Sequence, residues 1–252
     1  MSDRLVSIIT PAYRAERVIT ETIQSVQAQT YSNWEMLICE DCGPDQTRDV
    51  VRELARKDDR IILIGAPHNG GPAEARNQAL SVAKGRWLAF LDSDDVWLPD
   101  KLESQLAFHG AHPEAVISFT GFRRISADGS KTGAYISVPP KMGYRKLLGN
   151  TAIATSTVIV DSEISGSFRM KKTYYDDFAC WLELLKDGGV AVGLDKDLMR
   201  YRVMSASVSR DKKKSASEVW KAFRQVEGLN PALSAWYFAQ YAVRAWLKYR
   251  RF

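Results

Sequence analysis

Residues 87–97 read Trp-Leu-Ala-Phe-Leu-Asp-Ser-Asp-Asp-Val-Trp, a short apolar run that ends in three carboxylates. The run Trp87–Leu91 has the length and composition of a buried β-strand. Carboxylates directly after such a strand, as in Asp92 and Asp94, can hold a hard divalent cation whose open positions take a diphosphate. An acidic turn that caps the next helix is the alternative. An EF-hand loop is excluded, because Trp97 stands where its turn glycine is required.

Upstream of this strand, apolar runs alternate with helical patterns. The predicted strands are Val6–Thr10, Met36–Cys39 and Ile61–Ile64, and the predicted helices are one with Ile19, Ile23 and Val26 on one face, one over Asp49–Lys57 and one over Ala73–Val82. Repeated β-α units imply an α/β protein with a mostly parallel sheet and helices on both faces. In such sheets ligands bind beyond the carboxyl ends of the strands, so the residues after each apolar run are the candidates for a site.

The chain beyond Pro99 is less regular and predicts a mixed-sheet extension that lines an acceptor cleft. We expect a helix with Leu102, Leu106 and Phe108, a strand Val116–Thr120, a hairpin turn at Asp128-Gly129 between Arg123–Ile125 and Tyr135–Val138, strands near Ser156–Val160, Val190–Leu194 and Leu198–Val203, and a helix Asp177–Lys186.

Composition and charge restrict the class of protein. The 252 residues are 45% hydrophobic and 26% charged, which is ordinary for a globular chain. The net charge of +5 is uneven, because residues 200–252 hold 12 basic and 3 acidic side chains and the rest is mildly acidic. This split indicates a tail that meets an anionic surface rather than a nucleic-acid-binding protein. The apolar stretch Leu5–Ile9 is too short for a signal peptide, and the odd count of three cysteines suggests a reducing compartment, so we expect a cytoplasmic protein.

Three further groups of polar residues are candidates. Glu40 and Asp41 follow the second strand, where a carboxylate can accept from a nucleobase or a ribose hydroxyl. Arg76 can brace an acidic loop or a phosphate. The pair Asp176 and Asp177 begins a helix, where the helix dipole alone explains a carboxylate and a general base is the functional alternative. A GxGxxG after the first strand and a P-loop motif are both missing from the sequence, which counts against nicotinamide-dependent oxidoreductases and P-loop enzymes.

Six ordered motifs resemble those of glycosyltransferase family 2, and more narrowly the bacterial transferases of teichuronic acid, capsule and exopolysaccharide synthesis. The motifs are PAYRAE (11–16), ICEDCGPDQT (38–47), NGGPAEARNQAL (69–80), GRWLAFLDSDDVW (85–97), DDFACWLELLKDG (176–188) and YRVMSASVS (201–209). The resemblance implies a GT-A fold with residues 1–115 as the nucleotide-sugar-binding half, residues 116–210 as the acceptor-binding half, and residues 211–252 as a basic, aromatic, helical tail.

The resemblance also implies a role for each matched residue. The donor would contact Thr10, Pro11, Tyr13, Asp41, Arg76, Asp92, Ser93, Asp94 and Arg202. Within that set, Asp41 would accept from the uracil edge and Arg76 would brace the uracil pocket, while Arg202 with Ser207 and Ser209 would close over the diphosphate. Asp92 and Asp94 would hold Mn²⁺ or Mg²⁺, with Asp94 the more direct ligand. Met204 stands where many relatives carry a histidine.

The implied reaction is an inverting transfer from a nucleotide sugar, most often a UDP-sugar, to a hydroxyl of a lipid-linked or oligosaccharide acceptor, with Asp177 as the catalytic base. The alternatives are a nucleotidyltransferase that makes a nucleotide sugar, and a basic membrane- or nucleic-acid-binding module without catalysis. The first would need a glycine-rich basic loop after the first strand, where Pro11-Ala-Tyr-Arg stands.

The tail, Leu233–Phe252, is apolar and aromatic apart from Gln240, Arg244, Lys248 and Arg251, which recur at helical spacing. One interpretation is a helix packed on the core, with Val219, Phe223 and Val226 of a preceding helix as partners. The other is an interfacial helix: Trp236, Trp246 and Tyr249 suit the headgroup boundary, and Lys212–Lys214, Arg250 and Arg251 suit anionic lipid. The second interpretation places the protein peripherally at the inner face of the cytoplasmic membrane.

Overall fold

The structure is a computed structural model that describes residues 4–150, 152–204 and 212–249, with the side chains of 216–246 in the last segment. Its elements in chain order are β1 Val6–Ala12, α1 Ile19–Gln27, β2 Trp34–Glu40, α2 Thr47–Ala55, β3 Ile61–Gly65, α3 Pro72–Val82, β4 Trp87–Phe90, β5 Val96–Trp97, α4 Lys101–Gly110, β6 Ala115–Ser126, β7 Thr132–Ile136, β8 Lys141–Met142, α5 Tyr144–Leu148, β9 Ile159–Asp161, α6 Ser162–Ser165, α7 Asp176–Lys186, β10 Val190–Val203, α8 Lys212–Lys221 and α9 Pro231–Tyr249. A 3-10 turn covers Thr155–Thr157, and a π-helical turn, Ala222–Val226, follows α8.

A single sheet contains the described strands, in the order β3-β2-β1-β4-β9-β6-β10-β5, with β7 beside β6 and β8 beside β10. Strands β1 to β4 are parallel to one another, as the β-α units predict. Strand β9 is antiparallel to both β4 and β6, so it joins the parallel part to the mixed part. The predicted α/β class, with a mostly parallel sheet and a mixed extension, is confirmed.

Alternating side chains of the central strands enter two cores, one on each face of the sheet. On one face, Ile8 of β1 and Met36 of β2 pack with the predicted apolar face of α1. On the other, Ile9, Leu37 and Phe90 pack with α3, α7 and the helices that follow β10. Burial on both faces explains why β2 is apolar nearly throughout rather than alternating.

Two strands are longer than the sequence predicts. The predicted strands Val116–Thr120 and Arg123–Ile125 form one strand, β6, and the predicted strands Val190–Leu194 and Leu198–Val203 form β10. The ladder between them shifts register around Asp197, so the polar interruption is absorbed as an irregularity rather than a turn. The hairpin partner β7 begins at Thr132 rather than Tyr135.

Lys101 of α4 is fully buried, and its Nζ lies 3.7 Å from the ring centroid of Trp97, whose indole in turn donates to the Ser156 carbonyl. Among the described residues the Nζ has no hydrogen-bond partner. Burial lowers the pKa of this ammonium group well below 10.5. The side chain therefore fills space beside Trp97 at an electrostatic cost.

We predict that Lys101→Met raises the free energy of unfolding at pH 7 by about 1–3 kcal/mol, because methionine keeps the shape and removes the buried amine. The pKa of Lys101 is lower in the folded state than in the unfolded state, so the wild type gains stability as the pH rises from the folded-state pKa toward 10.5. The stability difference between the variant and the wild type therefore shrinks as the pH rises. Urea denaturation at several pH values measures both effects, with Lys57→Met at an exposed site as the control. A variant less stable than the wild type contradicts the prediction.

Candidate active site

The acidic loop after β4 is crowded with like charge. Burial, and then the neighbouring Asp92, raise the pKa of Asp94 to about 6. Burial, and then the charges of Asp94 and Asp92, also raise the pKa of Asp95. Asp95 Oδ1 accepts from the Arg202 backbone N–H at 2.9 Å. Asp95 is thus occupied in holding the loop against β10, while Asp92 and Asp94 remain partly exposed. The Ser93 carbonyl accepts from the Thr22 hydroxyl at 3.0 Å.

Arg76 of α3 joins this loop to the helix that carries the second acidic pair. Its guanidinium group, 6% exposed, donates to Asp92 Oδ1 at 2.5 Å and to Asp176 Oδ2 at 2.7 Å. Burial lowers the pKa of Arg76, but the charges of Asp92, Asp176 and Asp177 outweigh it and raise the pKa above its usual range. Arg76 therefore braces an acidic loop here, and its predicted roles toward a phosphate and toward uracil stay predictions.

Asp177 lies at the N-terminal turn of α7, beside the Arg76 ion pairs. Its Oδ2 accepts from the Thr155 hydroxyl at 2.5 Å, and its Oδ1 accepts from the Phe178 N–H at 2.7 Å. The segment before α7 is anchored by Asn77, whose side-chain amide exchanges two hydrogen bonds of 2.8 Å with the backbone of Met170. Neighbouring residues of α3 thus fix the position of the predicted base.

Asp41 directly follows β2 and shapes the neighbouring loop that leads into α3. Its two carboxylate oxygens accept from the N–H groups of Gly70 and Gly71, each at 2.8 Å. Gly71 has φ of 86°, and a Cβ on Gly70 would stand 2.8 Å from Glu74 Cβ, so the turn needs both glycines. Each carboxylate oxygen can accept a second hydrogen bond, so the arrangement is compatible with a bond from the uracil edge. That bond stays a prediction.

The residues predicted to lie along the nucleoside are at the end of β1. Thr10 is buried, and its hydroxyl has no hydrogen-bond partner among the described residues. Pro11 is partly exposed and Tyr13 is exposed, with the Arg14 guanidinium 5.2 Å from the Tyr13 ring centroid. This arrangement offers an accessible aromatic face next to the Asp41 loop.

Arg202 contacts the acidic loop through backbone as well as side chain. Its Nε donates to the Asp94 carbonyl at 2.9 Å, its Nη1 to the Ala127 carbonyl at 3.1 Å and its Nη2 to Glu21 at 2.5 Å. The side chain is 2% exposed, so in this state it holds the loop. The predicted partners Ser207 and Ser209 lie outside the described residues.

The acidic loop fits a divalent cation that is shared with a ligand. Across residues 4–150, 152–204 and 212–249, no group of three or more His, Cys, Asp or Glu side chains is arranged to hold a metal ion. Mg²⁺ in phosphate-processing sites takes one or two carboxylates and completes its shell with phosphate oxygens and water. The two accessible carboxylates Asp92 and Asp94, beside one guanidinium group, match that pattern.

Four residues of the site were not singled out by sequence reasoning. Thr155 and Ser156 reach it from the start of β9, and Ser156 Oγ accepts from the Asp92 N–H at 3.0 Å. Glu21 of α1 holds Arg202, and Asn77 holds Met170. The sequence carries no motif for Thr155 or Ser156. Asn77 could have been found, because it directly follows the candidate residue Arg76 in the same predicted helix.

Comparisons with known proteins identify the family of this chain. A family model described as glycosyl transferase family 2 matches residues 7–170. The putative teichuronic acid biosynthesis glycosyltransferase TuaG of Bacillus subtilis is 41% identical over 96% of this chain and 96% of its own length. WfgD of Escherichia coli, named a UDP-Glc:alpha-D-GlcNAc-diphosphoundecaprenol beta-1,3-glucosyltransferase, is 39% identical over 96% of this chain and 94% of its own length.

Among solved structures, S. aureus TarS 1-349 in complex with UDP-GlcNAc has a TM-score of 0.72 at 20% identity, over 97% of this chain and 73% of that chain. This chain spans 44% of the longer TarS chain. The mannosyltransferase PcManGT from Pyrobaculum calidifontis, in complex with GDP-Man and Mn²⁺, has a TM-score of 0.70 at 17% identity, over 96% and 73% of the two chains. With these neighbours the fold is GT-A, and by the family model and the identities to TuaG and WfgD the chain belongs to glycosyltransferase family 2.

Proposed function

We propose that this chain transfers a sugar from a UDP-sugar to a hydroxyl of a lipid-linked acceptor, with inversion at the anomeric carbon, in cell-surface polysaccharide synthesis. The names of TuaG and WfgD support the polysaccharide and the lipid-linked acceptor, and the UDP-GlcNAc complex of TarS supports the UDP-sugar. The predicted halves, residues 1–115 and 116–210, would bind donor and acceptor respectively.

One observation carries the proposal, namely that Arg76 joins Asp92 to Asp176. The first carboxylate ends a strand of the donor half, and the second begins α7 of the acceptor half. The guanidinium group thereby brings the cation-binding loop and Asp177 into one site. A transfer by one inverting displacement needs both groups in one site, because the leaving diphosphate and the attacking hydroxyl lie on opposite sides of the same carbon.

The chain's own groups account for the acid-base part of the reaction. An acceptor hydroxyl is a poor nucleophile at neutral pH, so Asp177 takes its proton as the oxygen attacks the anomeric carbon. The bond from that carbon to the diphosphate breaks on the opposite side, and one displacement inverts the configuration. A bound Mn²⁺ or Mg²⁺, held by Asp92 and Asp94, would supply positive charge against the charge that develops on the leaving diphosphate.

Incubation with Mn²⁺ and a panel of UDP-sugars tests the proposal, because water can take the place of the missing acceptor hydroxyl and release UDP slowly. We expect release of UDP from at least one donor and its loss in EDTA. Formation of a nucleotide sugar and pyrophosphate from a nucleoside triphosphate and a sugar phosphate would instead identify a nucleotidyltransferase. Inertness toward the whole panel would favour a module without catalysis.

We predict that Asp177→Asn lowers turnover by about 10²–10⁴, the usual contribution of a positioned general base, while donor binding and fold stay intact. Steady-state kinetics with the active donor and calorimetric binding of UDP measure the two properties. Near-normal turnover removes Asp177 from the role and makes Asp176 the next residue to test.

We predict that Asp94→Ala abolishes the metal-dependent binding of UDP, because it removes one of the two accessible carboxylates that would hold the cation, and without the cation a diphosphate meets an excess of like charge at this loop. Calorimetry with Mn²⁺ and with EDTA measures it. Asp100→Ala is a matched control, since that exposed carboxylate is paired with Lys196 and should leave UDP binding unchanged. Equal binding of UDP in EDTA and in Mn²⁺ contradicts the assignment of the metal site.

Helix α9 has one packed side and one exposed apolar side. Its inner side, with Tyr237, Phe238 and Tyr241, packs against a core that contains Val219 and Phe223, as the packing interpretation predicts. Its outer face, defined by Leu233, Trp236, Val243 and Trp246, is exposed, and Trp236 and Trp246 are 65% and 63% accessible. Gln240 lies beside Gly149, and the exposed Arg244 donates to the Gly149 carbonyl at 2.6 Å. The other predicted members of the polar stripe, Lys248 and Arg251, lie outside the described side chains.

The outer face supports a peripheral membrane contact at the cytoplasmic side, where a lipid-linked acceptor would be met. Exposed tryptophans at one helix face suit the interface between headgroups and acyl chains. No helix in the described part of the chain has the length and apolarity to cross a bilayer. The basic side chains predicted to assist, Lys212–Lys214, Arg250 and Arg251, lie outside the described side chains.

We predict that the double variant Trp236→Ser, Trp246→Ser binds vesicles of phosphatidylglycerol and phosphatidylethanolamine at least about tenfold more weakly than the wild type, because two large apolar side chains no longer enter the interface. Hydrolysis of the UDP-sugar should stay unchanged. Sedimentation at low salt measures binding, and Val82→Ser with Ile164→Ser, exposed apolar sites elsewhere, is the control. Equal vesicle binding by both double variants contradicts the membrane contact.

A further inference from the structure

The 3-10 turn Thr155–Thr157 contacts both acidic groups of the site through adjacent side chains. The Thr155 hydroxyl donates to Asp177 Oδ2 at 2.5 Å. The next side chain, Ser156 Oγ, accepts from the N–H of Asp92 at 3.0 Å. One short turn therefore touches the proposed base and the proposed cation-binding strand end at once.

The position of the turn follows from the direction of β9. Because β9 is antiparallel to β4, its beginning lies beside the end of β4, where the acidic loop starts. Ala89 pairs with Ile159, and Phe90 N–H donates to the Val158 carbonyl at 3.1 Å. Ser156 continues this ladder with its side chain, since Asp92 N–H bonds to Oγ rather than to a carbonyl oxygen.

The turn is held from several directions. The Trp97 indole donates to the Ser156 carbonyl at 2.7 Å, Gln105 Nε2 donates to the Thr157 carbonyl at 2.9 Å, and the Thr157 hydroxyl donates to the Ala154 carbonyl at 2.6 Å. All three turn residues are buried. A hydroxyl carried by such a rigid turn fixes the orientation of whatever accepts from it.

We propose that Thr155 is a positioning residue, which holds the Asp177 carboxylate in the rotation needed to accept the proton of the acceptor hydroxyl, while Ser156 holds the strand end that carries Asp92. The bond from Thr155 and the bond from Phe178 N–H use one acceptor site on each oxygen of Asp177, and one site on each oxygen is left for substrate. The inference rests on the proposed function, since it concerns the base of that reaction.

The test separates the two adjacent hydroxyls by their kinetics. Thr155→Val should lower kcat by about 10–10² with little change in the donor KM, the effect of a lost hydrogen bond to a charged group, and Thr155→Ser should restore most of kcat. Ser156→Ala should mainly raise the donor KM. Thr120→Val is the matched control, because that buried hydroxyl has no partner among the described residues and its loss should leave both constants unchanged.

A double-mutant cycle decides whether Thr155 acts through Asp177. If it does, Thr155→Val adds little to the loss of turnover already caused by Asp177→Asn. Three outcomes overturn the inference: a wild-type kcat in Thr155→Val, a loss of kcat that Thr155→Ser does not restore, or additive losses in the double variant. The proposed function still stands in each case if Asp177→Asn lowers turnover. Normal turnover of Asp177→Asn overturns the inference and moves the base to another residue, whereas a chain that releases UDP from no donor contradicts the proposed function itself. If Thr155→Val does not fold, Thr155→Ala replaces it in the same cycle.

Discussion

The buried guanidinium group of Arg76 is the interaction on which the site depends. A charge that is almost fully removed from water is tolerated only with charged or polar partners, and Asp92 and Asp176 supply them. Because these partners come from opposite halves of the chain, the stability of the ion pairs and the geometry of the site have the same origin. Removal of one carboxylate would leave the guanidinium group partly unpaired and would disturb the other half as well.

Negative charge exceeds positive charge around the acidic loop. Asp92, Asp94 and Asp95 lie close together, burial and mutual repulsion raise the pKa of the last two, and Arg202 is occupied with Glu21 and backbone carbonyls. A divalent cation beside Asp92 and Asp94 would relieve this repulsion and would attract a diphosphate in turn. The same electrostatic imbalance thus accounts for both the proposed metal and the proposed donor.

Sequence reasoning located the parts of the site that follow parallel strands. The rule that ligands bind beyond the carboxyl ends of such strands led to Asp41 and to Asp92, and the predicted α/β fold was confirmed. The same rule passed over Thr155 and Ser156, because β9 runs in the opposite direction and approaches the site with its beginning. Strand direction depends on long-range pairing, which local patterns do not encode.

The bounds of the long strands and the packing of the last helix also depend on long-range contacts that local sequence patterns do not encode. The predicted strands Val116–Thr120 and Arg123–Ile125 leave a gap at Gly121, which in the structure lies within β6. Tyr135 crosses Gly121, and a Cβ there would stand 2.1 Å from the tyrosine hydroxyl oxygen. In α9 both sides carry apolar residues, so periodicity did not tell the packed side from the exposed side. The contacts of Tyr241 with Phe178, at 6.2 Å between ring centroids, decide it.

The proposed reaction is a single displacement at the anomeric carbon. The acceptor hydroxyl attacks from the side of the base on α7, and the diphosphate leaves toward the end of β4. Proton NMR of the product formed from a UDP-α-linked donor and a glycosyl-diphosphate lipid acceptor tests it most directly, because the configuration at the new anomeric centre records the number of displacements. We expect a β-linked product. An α-linked product would contradict it, since retention needs a different arrangement of groups around the anomeric carbon.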